Sequence, residues 1–306
     1  MVPCQQQDRG NTVSSIQTGM QEIEERFIAW ATADGAIRAA FVIGSRARID
    51  HPADAWSDLD LVVITDEPER LLNRTDWLTR IDTPWLTFVE PTVVGVGCER
   101  RVLFAGGYDV DFAIFSPEQF DQLSPDLLAS VIRRGMRVLL DTDGRLAGVP
   151  WRHSASPDAS PGPPSQEEYR SVIVDFWYHA LWTARKLQRG ELFTAKGACD
   201  GHMKDLVLRM LAWHAGATQG WAYDTWHRGR FLEEWADPRV LEQLRDAYAH
   251  YDRSDIARAL WATVNLFRWV ARETAGSARS VYPADVEERV VTLMAAVLDG
   301  TAERGS

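Results

Sequence analysis

Asp58 and Asp60 stand one residue apart in SDLDLVVIT, residues 57–65. The residues that follow them are apolar and mostly β-branched, which predicts a buried strand over 58–65. On a strand, residues i and i+2 point the same way. Both carboxylates therefore share one face, and Leu59, Leu61 and Val63 share the other. Like charges this close repel, and one holds its proton unless a cation sits between them. A divalent ion removes the conflict. Oxygen-only ligands favour Mg²⁺, which binds through a few carboxylates together with substrate phosphates.

YDVDFAIFS (108–116) alternates in the same manner, with Asp109 and Asp111 opposite Val110, Phe112 and Ile114. If this strand lies beside 58–65, Asp111 reaches the same ion. Three carboxylates can hold two metal ions, an arrangement that activates a hydroxyl and stabilises in-line phosphoryl displacement. Upstream, IRAAFVIGS (37–45) reads as a strand ending in a Gly44-Ser45 turn. Glycine permits close backbone approach, and turn N–H groups with the Ser45 hydroxyl suit a terminal phosphate, with Arg46 adding charge. Each feature alone has a plainer reading. An Asp-x-Asp pair is often a solvated turn, and a lone aspartate can guard a sheet edge. Their order along the chain is more specific than any one of them.

These groups need elements to hold them. Residues 1–18 are polar and aperiodic and predict a flexible tail. QEIEERFIAWATAD (21–34) has helical spacing, and residues 67–82 also read as helical. PWLTFVE, TVVGVGC and RRVLFAGG read as strand-like pieces, and RVLLD (137–141) as a last short strand. SPEQF and SPDLLASVIRRG each open on Ser-Pro, a helix start. Residues 148–166 are rich in Pro, Ser and Gly, which predicts a linker over 148–165. Beyond it, four long segments repeat with a period of 3.6, a helical bundle over 166–306. The expected fold class is α+β: an N-terminal domain over 19–147 with a mixed sheet, then the C-terminal bundle. No internal repeat is visible.

Composition narrows the partners. The chain has 306 residues and a net charge of −11, a poor match for nucleic acid, whose phosphates need a basic surface. An acidic chain better suits a cationic small molecule, or simply a solvated surface. Cys4, Cys98 and Cys199 are widely spaced, which predicts reduced thiols and no zinc knuckle. No signal-like segment opens the chain and no apolar run is long enough to span a bilayer, so the expectation is a cytoplasmic protein with no membrane partner, monomeric or weakly oligomeric. The basic residues are nearly all arginine; the three lysines, Lys186, Lys196 and Lys204, fall close together.

GSR…SDLDLVV followed by DVDFAIF resembles the polymerase-beta-type nucleotidyltransferase superfamily: a Gly-Ser turn, Asp-x-Asp, then a third Asp. VDFWYHALWTARKLQRGELFTAK and KDLVLRMLAWHAG resemble the helical domain of the aminoglycoside 6-adenylyltransferases, or streptomycin adenylyltransferases. Asp175 stands where that family has a glutamate before Phe-Trp, and Arg185 where it has lysine. The likeness implies a polymerase-beta-like nucleotidyltransferase domain whose metal ligands are Asp58, Asp60 and Asp111, holding two Mg²⁺ ions. It implies that Gly44, Ser45 and Arg46 hold the phosphates of ATP, and that Arg185, Lys186 and Lys204 reach the triphosphate from the helical domain. Glu90, in FVEPTVVG, is the candidate catalytic base and a candidate substrate contact.

In the helical half, Asp175, Glu191 and Asp200 are candidates for binding a cationic substrate; exposed acids on helices are more often merely solvated. Asp175 leads, because Val174, Phe176 and Trp177 around it read as buried, and a buried acid needs a partner. The seven histidines show no HxxxH spacing, and His179, His202 and His214 read as packing or capping residues. Trp177 and Trp182 read as core. The reaction implied is transfer of AMP from Mg-ATP to a hydroxyl of a cationic aminoglycoside antibiotic, with streptomycin foremost and resistance as the outcome. The alternatives are a different small-molecule acceptor, or a relative that binds nucleotide without catalysis.

Overall fold

The computed structural model of the chain describes residues 7–48, 51–124, 128, 132, 135–148, 162–221, 225 and 227–300, with side chains from residue 19 onward. The chain forms two compact units, Met1–Ala155 and Ser156–Ser306. The linker expected over 148–165 falls mainly on 149–161, outside the described residues, as do most of the helix expected over 124–135, residues 1–6 and residues 301–306.

The first unit is built on a sheet. Its elements are α1 (Gln7–Ala33), β1 (Ile37–Ile43), β2 (Leu59–Thr65), α2 (Pro68–Asn73), β3 (Pro84–Pro91), β4 (Cys98–Phe104), β5 (Tyr108–Phe115), α3 (Pro117–Asp121) and β6 (Arg137–Asp141). Among the described residues the strand order is β3-β4-β5-β2-β1-β6. The β2–β5 pair is parallel and every other pair is antiparallel. This is the mixed sheet that the alternating segments predict.

Both faces of the sheet are covered near its centre. Met20, Ile23, Phe27 and Ala31 recur at helical spacing on α1 and pack with Leu59, Leu61, Val63, Val110, Phe112 and Ile114. On the other face Phe41, Val62, Ile64 and Phe115 pack with Phe120, Ile132 and Met136. Burial on two sides explains why β2 reads as an almost unbroken apolar run. Asp60 and Asp111 belong by parity to this second face, at the ends of their strands where the apolar cluster stops.

Several elements differ from the sequence reading. The helix expected from residue 21 begins at Gln7, so 7–18 continue α1 instead of forming a flexible tail. The helix expected over 67–82 divides: α2 ends where Arg74 turns extended, and a 3₁₀ segment follows at Asp76–Arg80. TVVGVGC contributes only its last residue to a strand. Gly95 and Gly97 take φ of +75° and +73°, and fold the segment into the turn joining β3 to β4.

The second unit is helical: α4 (Gln166–Gln188), α5 (Leu192–Gly197), a π turn (Ala198–His202), α6 (Met203–Gln219), α7 (Leu232–Trp235), α8 (Pro238–Ala247), α9 (Arg253–Thr274) and α10 (Ala284–Leu298). Ser165 and Glu168 close a reciprocal capping box at the start of α4, and Asp252 caps α9. Phe176 of α4 stacks on Phe267 of α9 at 3.6 Å between ring centres. Trp177 is core, as its spacing predicts, with its indole N–H donating to the Tyr282 hydroxyl at 3.1 Å.

Candidate active site

Two strands bring the carboxylates together. Asp58 is the residue before β2 and Asp60 the second within it. The parallel register sets Asp60 directly beside Asp111, as Leu59 lies beside Val110. Oxygens of Asp58, Asp60 and Asp111 lie within 4.8 Å of one another. Asp111 is only 4% exposed. Burial pushes its carboxyl up to about 8; Arg101 opposes this, while Glu99, Asp109 and Asp60 add to it.

The residues fit a divalent cation. Oδ1 of Asp111 is buried without a hydrogen-bond partner, which costs free energy unless something else satisfies it. An all-oxygen set of three acids suits Mg²⁺. The Gly44–Arg46 turn lies against this set. Gly44 has φ of +69°, and a Cβ there would lie 2.1 Å from Oδ2 of Asp60. Glycine is required on both counts. Gly44→Ala should therefore lower stability by about 1–2 kcal/mol from the left-handed backbone alone. It should also displace Asp60, so the variant should lose transfer activity even where melting curves show it folded.

Ser45 is buried and its hydroxyl has no hydrogen-bond partner, as a phosphate-binding hydroxyl would before its ligand arrives. Arg46, expected at the phosphates, is held here by two backbone carbonyls. Its Nε donates to the Asp58 carbonyl at 2.9 Å and Nη2 to the Ser57 carbonyl at 2.8 Å. It ties the turn to the loop before β2 and so helps position Asp58. A cleft of about 350 Å³ opens beside Ser45 and Arg46, with Arg48, Arg137 and Glu24 also in its wall.

Glu90 reaches the triad through a residue that sequence reasoning missed. Arg101 on β4 pairs in register with Asp111. Its Nη2 donates to Asp111 at 2.6 Å, and its Nε lies 3.0 Å from Glu99 and 3.3 Å from Glu90. Burial alone would lower the Arg101 pKa, but Glu99 and Asp111 hold it well above the ordinary arginine value. Arg101, Asp111 and Asp60 thus form one charged row across β4, β5 and β2, and Glu90 of β3, which pairs in register with Glu99, reaches Arg101 diagonally. The signal that could have found Arg101 is its i+2 spacing from Glu99, which puts both on one face of β4.

The helical unit distributes its expected residues more widely. Lys186 donates to Glu191 at 2.8 Å, and its ammonium lies 5.1 Å from the Trp182 ring centre. Glu191 also pairs with Arg189 at 2.7 Å. Arg185 is exposed on another side of α4, beside Val174, Tyr178 and Val290. Lys204 points inward: its ammonium donates to the Cys199 carbonyl at 2.9 Å and the Thr263 hydroxyl at 2.8 Å. Burial lowers its pKa. The charge of Lys204, expected to reach the triphosphate, is here met within its own unit by α9 and the π turn. Lys196 likewise is occupied by Asp200 and the Ala249 carbonyl.

The surroundings of Asp175 differ from the buried setting expected. Val174 beside it is exposed, and Asp175 itself is part-exposed because it lies on the solvent side of the Phe176 seam. Its partners are histidines: His179 Nδ1 at 2.6 Å and His202 Nε2 at 3.0 Å. His179 packs edge-on against the Tyr178 and Trp182 rings, as a packing residue should, and against His202. His214 is buried, with Nε2 2.7 Å from Glu273.

A mixed sheet that presents three aspartates beside a Gly-Ser turn is the arrangement expected of a nucleotidyltransferase, and the family match makes this chain a member of that enzyme class, whose adenylyl-transferring members imply ATP as co-substrate. A family model described as Streptomycin adenylyltransferase matches residues 18–297, and the chain belongs to that family. It is similar to the aminoglycoside 6-adenylyltransferase of Bacillus subtilis (strain 168), 21% identical over 279 residues that cover 88% of this chain and 94% of that protein. The aminoglycoside 6-adenylyltransferase of Campylobacter jejuni is 23% identical over 274 residues, 86% of this chain and 90% of that one. A crystal structure of an aminoglycoside 6-adenyltransferase from Bacillus subtilis covers 91% of this chain and 97% of its own, with 18% identity and a TM-score of 0.44. Among the described residues no helix is long and apolar enough to cross a membrane.

Proposed function

We propose that this chain transfers the adenylyl group of Mg-ATP to a hydroxyl of an aminoglycoside, streptomycin foremost, and that the modification confers resistance in the cytoplasm. The observation that carries this reading is the Asp58–Asp60–Asp111 cluster, with its orphaned Asp111 oxygen, in a chain of this family. The division of labour follows a two-domain reading, 19–147 for the chemistry and 166–306 for the acceptor, joined by 148–165.

In this reading Asp58, Asp60 and Asp111 hold two Mg²⁺ ions. Bound there, Mg²⁺ neutralises charge on the triphosphate and acidifies the acceptor hydroxyl. The Ser45 hydroxyl and the Gly44–Ser45 backbone bind the terminal phosphates, and Arg46 keeps that turn against Asp58. Glu90 accepts the hydroxyl proton as the acceptor oxygen bonds to the α-phosphorus and pyrophosphate leaves. Arg101 holds Glu90 toward the triad. Lys186 and Arg185 remain candidates for the triphosphate, and Asp175 and Glu191 for the cationic acceptor. A different cationic acceptor is the second reading, favoured by the two imidazoles that engage Asp175.

The test is pyrophosphate release from Mg-ATP with streptomycin, against a panel of other aminoglycosides and a control without drug. Release with streptomycin alone supports the reading in full. Release only with another compound keeps the chemistry and moves the acceptor. Absence of release with every compound would overturn aminoglycoside adenylylation.

A further inference from the structure

We propose that Asp175, His179 and His202 form a second cation site on the helical unit, one that takes a transition-metal ion of the zinc class. Asp175 and His179 lie one turn apart on α4, and so share a face. His202 comes from the π turn at Ala198–His202. Such turns are rare and recur at functional sites. A π turn adds the equivalent of one residue, which rotates the downstream side chains by about 100° relative to an uninterrupted helix. Here the rotated residue meets the α4 pair: His202 Nε2 stands 3.0 Å and His179 Nδ1 2.6 Å from the same oxygen, Oδ1 of Asp175. The two imidazole rings are 4.2 Å apart, and the three donor atoms lie within 4.8 Å of one another.

The donor chemistry differs from that of the sheet. Two imidazole nitrogens with one carboxylate oxygen suit Zn²⁺, Ni²⁺ or Cu²⁺ rather than Mg²⁺. Tetrahedral zinc places its donors about 3.3 Å apart, so small side-chain rotations suffice to admit it. The side chains of Asp175, His179 and His202 are 37%, 29% and 43% exposed. The ion therefore has an entry path, and its remaining position is open to water or a ligand. Burial pushes the Asp175 carboxyl up, but the two histidines outweigh this and hold it below its ordinary value, so it is ionised as a ligand must be. His179 Nδ1 faces both Oδ1 and the Asp175 carbonyl, the latter at 3.1 Å.

The proposal shares Asp175 with the acceptor-binding reading but is tested apart from it, since its test uses neither ATP nor drug. The untagged full-length chain, stripped with chelator, is titrated with Zn²⁺ by calorimetry in saturating Mg²⁺, which occupies the oxygen-only cluster. One zinc equivalent should bind, and Asp111→Asn should retain it. The double variant His179→Ala/His202→Ala should bind at least about 100-fold more weakly, since loss of outer hydrogen-bond partners alone costs 10–100-fold. Asp175→Asn, which keeps shape, should weaken binding in the same direction. A wild-type chain that takes no zinc equivalent overturns the proposal, as does a folded double variant that binds like wild type.

Discussion

Asp111→Asn should lower adenylyl transfer by about 10³-fold while leaving the sheet folded. Metal stabilisation of a displacement is worth several kcal/mol, and each 1.36 kcal/mol is tenfold in rate. Asparagine keeps the volume of a side chain that is 4% exposed, so packing against Phe112 and the β2 register should survive. What is lost is an anionic oxygen next to Asp60. The same residue should carry a pH signature. Its folded carboxyl is pushed up to about 8, chiefly by burial, above its ordinary 3.8. The folded state then binds the proton more tightly than the unfolded state. The associated stability is full below the ordinary value and is lost as pH rises through about 8. The melting temperature of the metal-free wild type should accordingly fall from about pH 6 to about pH 9, more steeply than that of Asp111→Asn, and Mg²⁺ should flatten the fall. The measurements are pyrophosphate release and melting curves across pH. A variant rate within tenfold of wild type would remove Asp111 from the metal site.

Glu90→Gln should reduce the turnover rate by about 10²–10⁴-fold, the usual worth of a positioned general base. Affinity for ATP should be unchanged. Glutamine keeps the length of the side chain and its place on β3, but it cannot take a proton and loses its ion pair with Arg101, now 3.3 Å away. Direct nucleotide binding by calorimetry, beside steady-state turnover, separates the two effects. Unchanged turnover would put the base elsewhere. Weakened ATP binding with normal turnover would make Glu90 a binding residue.

Much of the sheet site was legible because strands have a period of two. Asp58 with Asp60, and Asp111 two residues after Asp109, each declare their face without knowledge of any partner. Gly44 was legible as a close-approach residue, although not that Asp60 is what it must admit. The helical unit was legible in kind but less so in detail. Trp177 reads as core and is core. Lys204 reads as a free charge and is buried, because exposure along a helix depends on which neighbours cover it. Val174 reads as buried and is exposed for the same reason.

By itself the sequence determined the alternation of strands and helices, the two pairs of same-face carboxylates and the glycine-serine turn, since these rest on periodicities of a few residues. Only the tertiary structure decided the cross-strand register that sets Asp111 against Asp60 and Arg101, and the π turn that carries His202 to Asp175 across 27 residues of chain. Both are contacts between segments whose spacing in sequence carries no distance information. Hydrogen-bonded pairing and helix packing alone supply it.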